Sequence, residues 1–126
     1  MSRSRIYRWA ENTFFDHKKR GFKFEEDVTI LKLRELMRKN LGKQCIYCGK
    51  ILSFDNEEKY RPTLDVINPK LPLTMDNFQI ITKQCNTMKQ QMNHRQFIMF
   101  RQTPEYLRQV KCPEGKLPNK ISGRIF

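Results

Sequence analysis

The stretch from Arg61 to Phe100 constrains the fold more than any other part of the chain. Thr63-Leu64-Asp65-Val66-Ile67 is apolar and β-branched with a single acid inside it, a composition that suits a short strand. Asn68, Pro69 and Pro72 then force a loop. Asp76-Asn77 opens a second strand, Phe78 to Ile81. A helix is expected from about Gln84 to Phe100, with Cys85, Met88, Met92, Met99 and Phe100 roughly on one face. The predicted order is strand, loop, strand, helix, with Asp65 on the first strand and Asn86 at the head of the helix. Just upstream, Cys45-Ile46-Tyr47-Cys48-Gly49 reads as a metal-knuckle-like turn.

Acids are depleted in strands, and Asp65 sits between Leu64 and Val66 in an apolar run. The plain reading is an acid at a strand edge, and the alternative is a metal ligand. Asn86 is either an ordinary polar residue in the first turn of a helix or a neutral oxygen ligand. Asn77 is either a turn residue or a side chain that fixes the loop. Lys89, one turn after Asn86, is either solvated or a phosphate contact.

Taken together, these residues resemble the HNH nuclease family, which has the ββα-metal fold. The resemblance is carried by Cys45 and Cys48, by Leu64-Asp65, by Asp76-Asn77-Phe78-Gln79-Ile80-Ile81, and by Cys85-Asn86 with Lys89. Asn77 and Asn86 stand nine residues apart, the spacing that the family uses. The resemblance covers about residues 43 to 100. It implies that Asp65 and Asn86 hold one divalent cation, magnesium or manganese, against a scissile phosphate. It implies that Asn77 fixes the hairpin loop and orients a catalytic His. The family carries that His, the general base, directly after the strand Asp. Here that position is Val66, and a Val side chain accepts no proton. The chain's histidines are His17 and His94, and neither matches a catalytic position of the family.

The Cys pair alone is compatible with zinc, with redox chemistry or with chance. Tetrahedral zinc wants a second pair of ligands from elsewhere. In the family that second pair also has a two-residue gap and ends at the Cys of the Cys-Asn dipeptide. Cys85 fits the end, but the partner position is Thr82, a poor zinc ligand. The expected structural zinc site is therefore Cys45, Cys48 and Cys85, with Cys112 as fourth ligand and His94 as a weaker alternative. The competing reading is three buried thiols that fill a small core.

Upstream, Ile6, Trp9, Ala10, Thr13, Phe14 and His17 fall at helical spacing, and Gly21 can end that helix over residues 4 to 20. Its other face carries Arg5, Arg8, Lys18, Lys19 and Arg20. Such a helix packs on the domain, lies along a phosphate backbone, or does both. Thr29 can cap a second helix over residues 29 to 41, with Ile30, Leu33, Leu36, Met37 and Leu41 as its apolar stripe. Ser53 to Lys59 is polar, a hairpin or surface loop. Thr103-Pro104-Glu105 starts a last short helix. The tail beyond Lys111 holds Pro113, Gly115, Pro118 and Gly123 and reads as irregular and basic. It is either a phosphate-seeking arm or a segment packed through Ile121, Ile125 and Phe126.

The expected fold is α+β, a single domain of 126 residues. Residues 1–42 form a helical pair, 43–100 an HNH-like core with a zinc-knuckle-like Cys pair, and 101–126 a helix and basic tail. Lys and Arg number 25 against 13 Asp and Glu, a net charge of +12. That balance favours an anionic partner, most commonly nucleic acid, and the resemblance to the nuclease family implies double-stranded DNA. No apolar run reaches the length of a membrane span. With no signal-like start the chain is expected in the cytoplasm, where cysteines serve as ligands or free thiols rather than disulfides. Two functions fit: a metal-dependent endonuclease that cuts DNA, or a nuclease fold that has lost its base and only grips nucleic acid.

Overall fold

In the first helix, α1 (Ser2–Lys19), the apolar residues recur at helical spacing, and Ala10 is fully buried with Ile6, Trp9 and Phe14 packed around the core. The computed structural model describes residues 2–109, with side chains from Arg5 onward. His17, Lys18 and Lys19 sit in the last turn of α1, where positive charge complements the helix dipole. Thr29 caps α2 (Ile30–Asn40) by accepting from the Lys32 N–H at 3.1 Å. This satisfies one of the four orphan donors of the first turn. Leu33 and Met37 on the inner face of α2 are fully buried, each contributing about 1.5–3 kcal/mol by leaving water.

The segment between the two helices is tied to the rest of the molecule. Phe24 bridges to Leu73, the Glu25 N–H donates to the Leu73 carbonyl at 3.1 Å, and the Asp27 carboxylate accepts from the Met75 N–H at 3.0 Å. The loop of the later hairpin is therefore held from the amino-terminal side.

The cysteine turn follows α2. Cys45 N–H donates to the Lys50 carbonyl at 2.7 Å, and Gly49 N–H donates to the Cys45 carbonyl at 2.9 Å. Gly49 adopts φ +80°, a conformation that glycine reaches without a Cβ penalty. The two strands pair antiparallel: β1 (Pro62–Val66) and β2 (Phe78–Thr82), with Asp65 opposite Gln79 and Val66 opposite Phe78. All five residues of β2 are buried. Both strands lie within a residue of their predicted limits.

The long helix expected from Gln84 to Phe100 is two helices, α3 (Lys83–Lys89) and α4 (His94–Phe100). Gln90 ends α3 with φ +48°, outside the helical region. Asn93 then starts α4 through a capping box: its side chain accepts from the Gln96 N–H, and the Gln96 side chain accepts from the Asn93 N–H. Asn and Gln three apart satisfy two orphan donors reciprocally, so the sequence restarts the helix rather than extending it. The predicted apolar face breaks with it, and Met99 is 68 % exposed. The last described helix, α5 (Pro104–Gln109), begins with Pro at its first position, and Tyr106 is buried against Phe97 and Phe100. Among the described residues the fold is mixed α and β, and no helix is long and apolar enough to cross a membrane.

Candidate functional site

The structure brings Cys45, Cys48 and Cys85 together. Their sulfurs all lie within 4.8 Å of one another, and all three side chains are buried. Tetrahedral ligation at about 2.3 Å per metal–sulfur bond separates ligand sulfurs by about 3.8 Å, so the cluster is near that geometry. The knuckle delivers two sulfurs from one turn, and the first turn of α3 delivers the third. Thr82 stands against the same point, its Oγ1 3.9 Å from Cys45 Sγ and 3.6 Å from Cys48 Sγ. That hydroxyl also accepts from the Cys85 N–H at 3.3 Å and so caps α3. The expected fourth ligand Cys112 lies outside the described residues. His94 is not in the cluster: it opens α4 and its Nδ1 meets Tyr47 Oη at 2.7 Å.

The electrostatics of the cluster follow from three ionisable groups at one point. Burial raises the Cys45 thiol, but hydrogen bonds from the Cys48 and Cys85 thiols outweigh it and hold Cys45 well below the usual range. Cys48 is pushed up to about 11, chiefly by its hydrogen bond to Cys45, and Cys85 is raised by the same partnership. A thiolate on Cys45 thus opposes ionisation of its two neighbours, and three buried cysteines this close could share a metal ion.

A second cluster forms on the hairpin. Asp65 is buried, and its Oδ2 accepts from Gln79 Nε2 at 2.8 Å and meets Lys89 Nζ at 3.1 Å. Lys89 Nζ also donates to the carbonyls of Val66 at 2.8 Å and Ile67 at 3.2 Å. Lys89 was expected as a phosphate contact; it is instead fully buried, its ammonium spent on β1. The reason is the stem's length: four methylenes carry the ammonium from the last turn of α3 to an acid and two carbonyls that compensate its charge. Burial pushes the Asp65 carboxyl above its ordinary range against the opposing pull of Lys89 and Gln79. Burial likewise lowers Lys89 against the pull of Asp65.

Asn86 Nδ2 donates to Thr63 Oγ1 at 3.0 Å and to the Leu64 carbonyl at 2.9 Å. The amide is thereby pinned to β1 beside Asp65. Asn77 staples the loop: its Nδ2 donates to the carbonyls of Asn68 at 2.9 Å and Pro72 at 3.1 Å, and its Oδ1 accepts from the Asn68 N–H at 2.9 Å. The loop-fixing geometry expected of Asn77 is therefore present.

Gln79 was not singled out as a site residue. It is buried and donates to both Asp65 Oδ2 and Tyr47 Oη, the latter at 2.9 Å. Tyr47 Oη also lies within hydrogen-bond distance of His94 Nδ1, at 2.7 Å, and burial keeps that hydroxyl protonated by raising its pKa. The chain Asp65, Gln79, Tyr47, His94 thus links the hairpin to the cysteine knuckle. The available signal was the register, since Gln79 faces Asp65 directly across the hairpin.

A cavity of about 760 Å³ lies between α1, the hairpin loop and α3. Asp65, Val66 and Asn86 line one wall and Trp9, Thr13 and His17 another, with Arg20, Lys23 and Lys83 along it. Of the basic residues expected to meet nucleic acid, Arg20 is on this wall. Arg8 and Lys19 are exposed on α1, Lys18 rests over the Phe14 ring, and Arg5 pairs with Asp55 at 2.9 Å. No protein-family model, curated protein or solved structure matches this chain.

Proposed function

We propose that the protein is a metal-dependent endonuclease with an HNH-type ββα-metal core, hydrolysing phosphodiester bonds in double-stranded DNA. One observation carries the reading. Asp65 and Asn86 line the same cavity, and each keeps an Oδ1 that accepts no hydrogen bond among the described residues. One carboxylate oxygen and one amide oxygen suit magnesium or manganese, which take few protein ligands and complete their shell with water and phosphate. A bound cation of this kind supplies charge that polarises the phosphate and stabilises the leaving 3′ oxygen. The chain's own residues do the rest. Asn77 fixes the loop, Gln79 and Lys89 hold Asp65 in one orientation, and Arg20 and Lys23 offer positive charge along the cavity.

Lys89 also sets the charge of the site. Asp65 and Lys89 sum to zero, so the protein alone attracts a cation weakly, and cation and phosphate bind best together. In the same reading the cysteine cluster holds a structural zinc, because three thiolates are the donors zinc prefers.

The second reading is a nucleic-acid-binding module with this fold and no catalysis. The observation that favours it is the pairing of Val66, which accepts no proton, with a Lys89 ammonium already seated on Asp65. Nicking of supercoiled plasmid with magnesium or manganese, against a chelator control, separates the two. The nuclease reading expects metal-dependent nicking that Asp65→Ala abolishes. Binding without nicking under any divalent metal would leave only the binding module.

A further inference from the structure

The missing proton acceptor has a candidate that the order of residues along the chain conceals. His17 sits in the last turn of α1, far in sequence from the hairpin, yet it lines the same cavity as Asp65, Val66 and Asn86. His94, the other imidazole, is buried against Tyr47 and is not on that wall.

Three features fix the ring. Its Nδ1 lies 2.8 Å from the Thr13 carbonyl oxygen. A carbonyl can only accept, so in the neutral ring Nδ1 carries the proton and Nε2 keeps its lone pair. The ring stacks on Phe24 with centroids 5.4 Å apart and leans on Phe22 at the same distance. Phe24 in turn meets Phe78 edge-on at 5.6 Å, and Phe78 is the cross-strand partner of Val66. A run of ring contacts thus ties the wall that carries the imidazole to the hairpin strand opposite Val66. These are features a general base requires: an oriented ring, a backbone partner that sets the tautomer, and a place on the wall of the cavity that holds the other candidate groups.

We infer that His17 is the general base of the phosphodiester hydrolysis, replacing from α1 the imidazole that Val66 cannot supply. The inference rests on the nuclease reading above. In the step, a water oxygen forms a bond to phosphorus while its proton passes to His17 Nε2. The bond from phosphorus to the 3′ oxygen breaks, the electron pair leaves on that oxygen, and it takes a proton from solvent. The products are a 3′ hydroxyl and a 5′ phosphate. The imidazolium then returns its proton to water, and the site is reset.

The test compares wild type, His17→Asn, His17→Ala and the double variant His17→Asn with Val66→His, all as the full chain. Asn keeps an amide donor for the Thr13 carbonyl, and His17→Gln serves instead if that variant does not fold. Nicking by His17→Asn is expected to fall by about 10²–10⁴-fold, the range of general-base catalysis. DNA affinity and melting temperature should stay at wild-type values. Free imidazole should restore part of the activity of His17→Ala in proportion to its neutral form. Val66→His should restore activity to His17→Asn by placing a ring on the hairpin itself. Wild-type nicking with an unchanged rate in His17→Asn would overturn the inference and leave the nuclease reading standing. A loss that neither imidazole nor Val66→His relieves would show a structural role for His17 and also overturn it. A wild type that binds DNA but never nicks would overturn both.

Discussion

Cys45, Cys48 and Cys85 gather three ionisable sulfurs around one point, whereas the equally buried Asp65 receives a lysine from the next helix 3.1 Å away. Both clusters concentrate negative charge away from water, where an uncompensated charge is costly. In the cysteine cluster ionisation of one thiol opposes that of its neighbours, and three buried sulfurs this close could hold a metal ion. The hairpin cluster carries its own compensation and can be charged, folded and stable without a metal. The difference teaches how one small fold handles two buried charge clusters: one gathers three thiols that could share a metal ion, and the other is balanced by a lysine of its own chain. Gln79 and Tyr47 join the two through a continuous run of hydrogen bonds.

The largest expected effect comes from emptying the cysteine cluster. Structural zinc contributes about 10–16 kcal/mol to the folding of small zinc-finger peptides, comparable to the whole stability of a domain. Purified protein should contain one equivalent of zinc by elemental analysis, and a strong chelator should unfold it or lower its melting temperature sharply. Melting that ignores the chelator would mean that the three thiols merely pack as core.

Breaking the other compensation should cost less. Lys89→Met leaves Asp65 buried and unpaired and is expected to destabilise by about 3–5 kcal/mol in urea denaturation. Adding Asp65→Asn should recover most of that loss, because the pair is then neutral on both sides. If the single variant costs nothing, the charges are not balanced against each other and the contrast between the clusters fails.

The loop that frames the hairpin cluster comes next. Asn77→Ala orphans the Asn68 N–H and the carbonyls it now holds, a cost of about 1–3 kcal/mol. Faster amide exchange of Asn68 should accompany it. No change in either would show that the linker contacts from Glu25 and Asp27 hold the loop alone.

The smallest effect sharpens the comparison. Thr82→Cys puts a fourth sulfur where a hydroxyl now stands, 3.6 Å from Cys48 Sγ. Metal affinity, read by competition with a chromophoric chelator, should rise by about tenfold, about 1.4 kcal/mol. Unchanged affinity would mean that another group already fills the fourth position.

Much of the framework was legible because its causes are local. The hairpin was readable from a β-branched run, a proline-rich loop and a second apolar run. Thr29 and Pro104 marked helix starts, and the loop-fixing role of Asn77 came from the resemblance to the nuclease family. The break between α3 and α4 is also local, in the Asn93–Gln96 capping box, but the apolar spacing of Met88, Met92 and Met99 runs straight across it. Periodicity is blind to a cap in mid-run, since a capping box leaves hydrophobic spacing almost untouched.

What the sequence by itself determined, then, is the set of elements and the chemical types at each: a two-cysteine turn, an acid inside an apolar strand, an Asn at the head of a helix. Hydrogen-bonding rules and side-chain periods act over a few residues, and they suffice for that much. Only the tertiary structure decided which charges meet. It turned Lys89 inward to Asp65, stood the Thr82 hydroxyl beside the sulfurs, and set His17, stacked on Phe24, on the wall of a cavity that Val66 also lines. The physical reason is that electrostatic partners are chosen by distance in space and by exclusion of water, and neither quantity exists until the chain has packed.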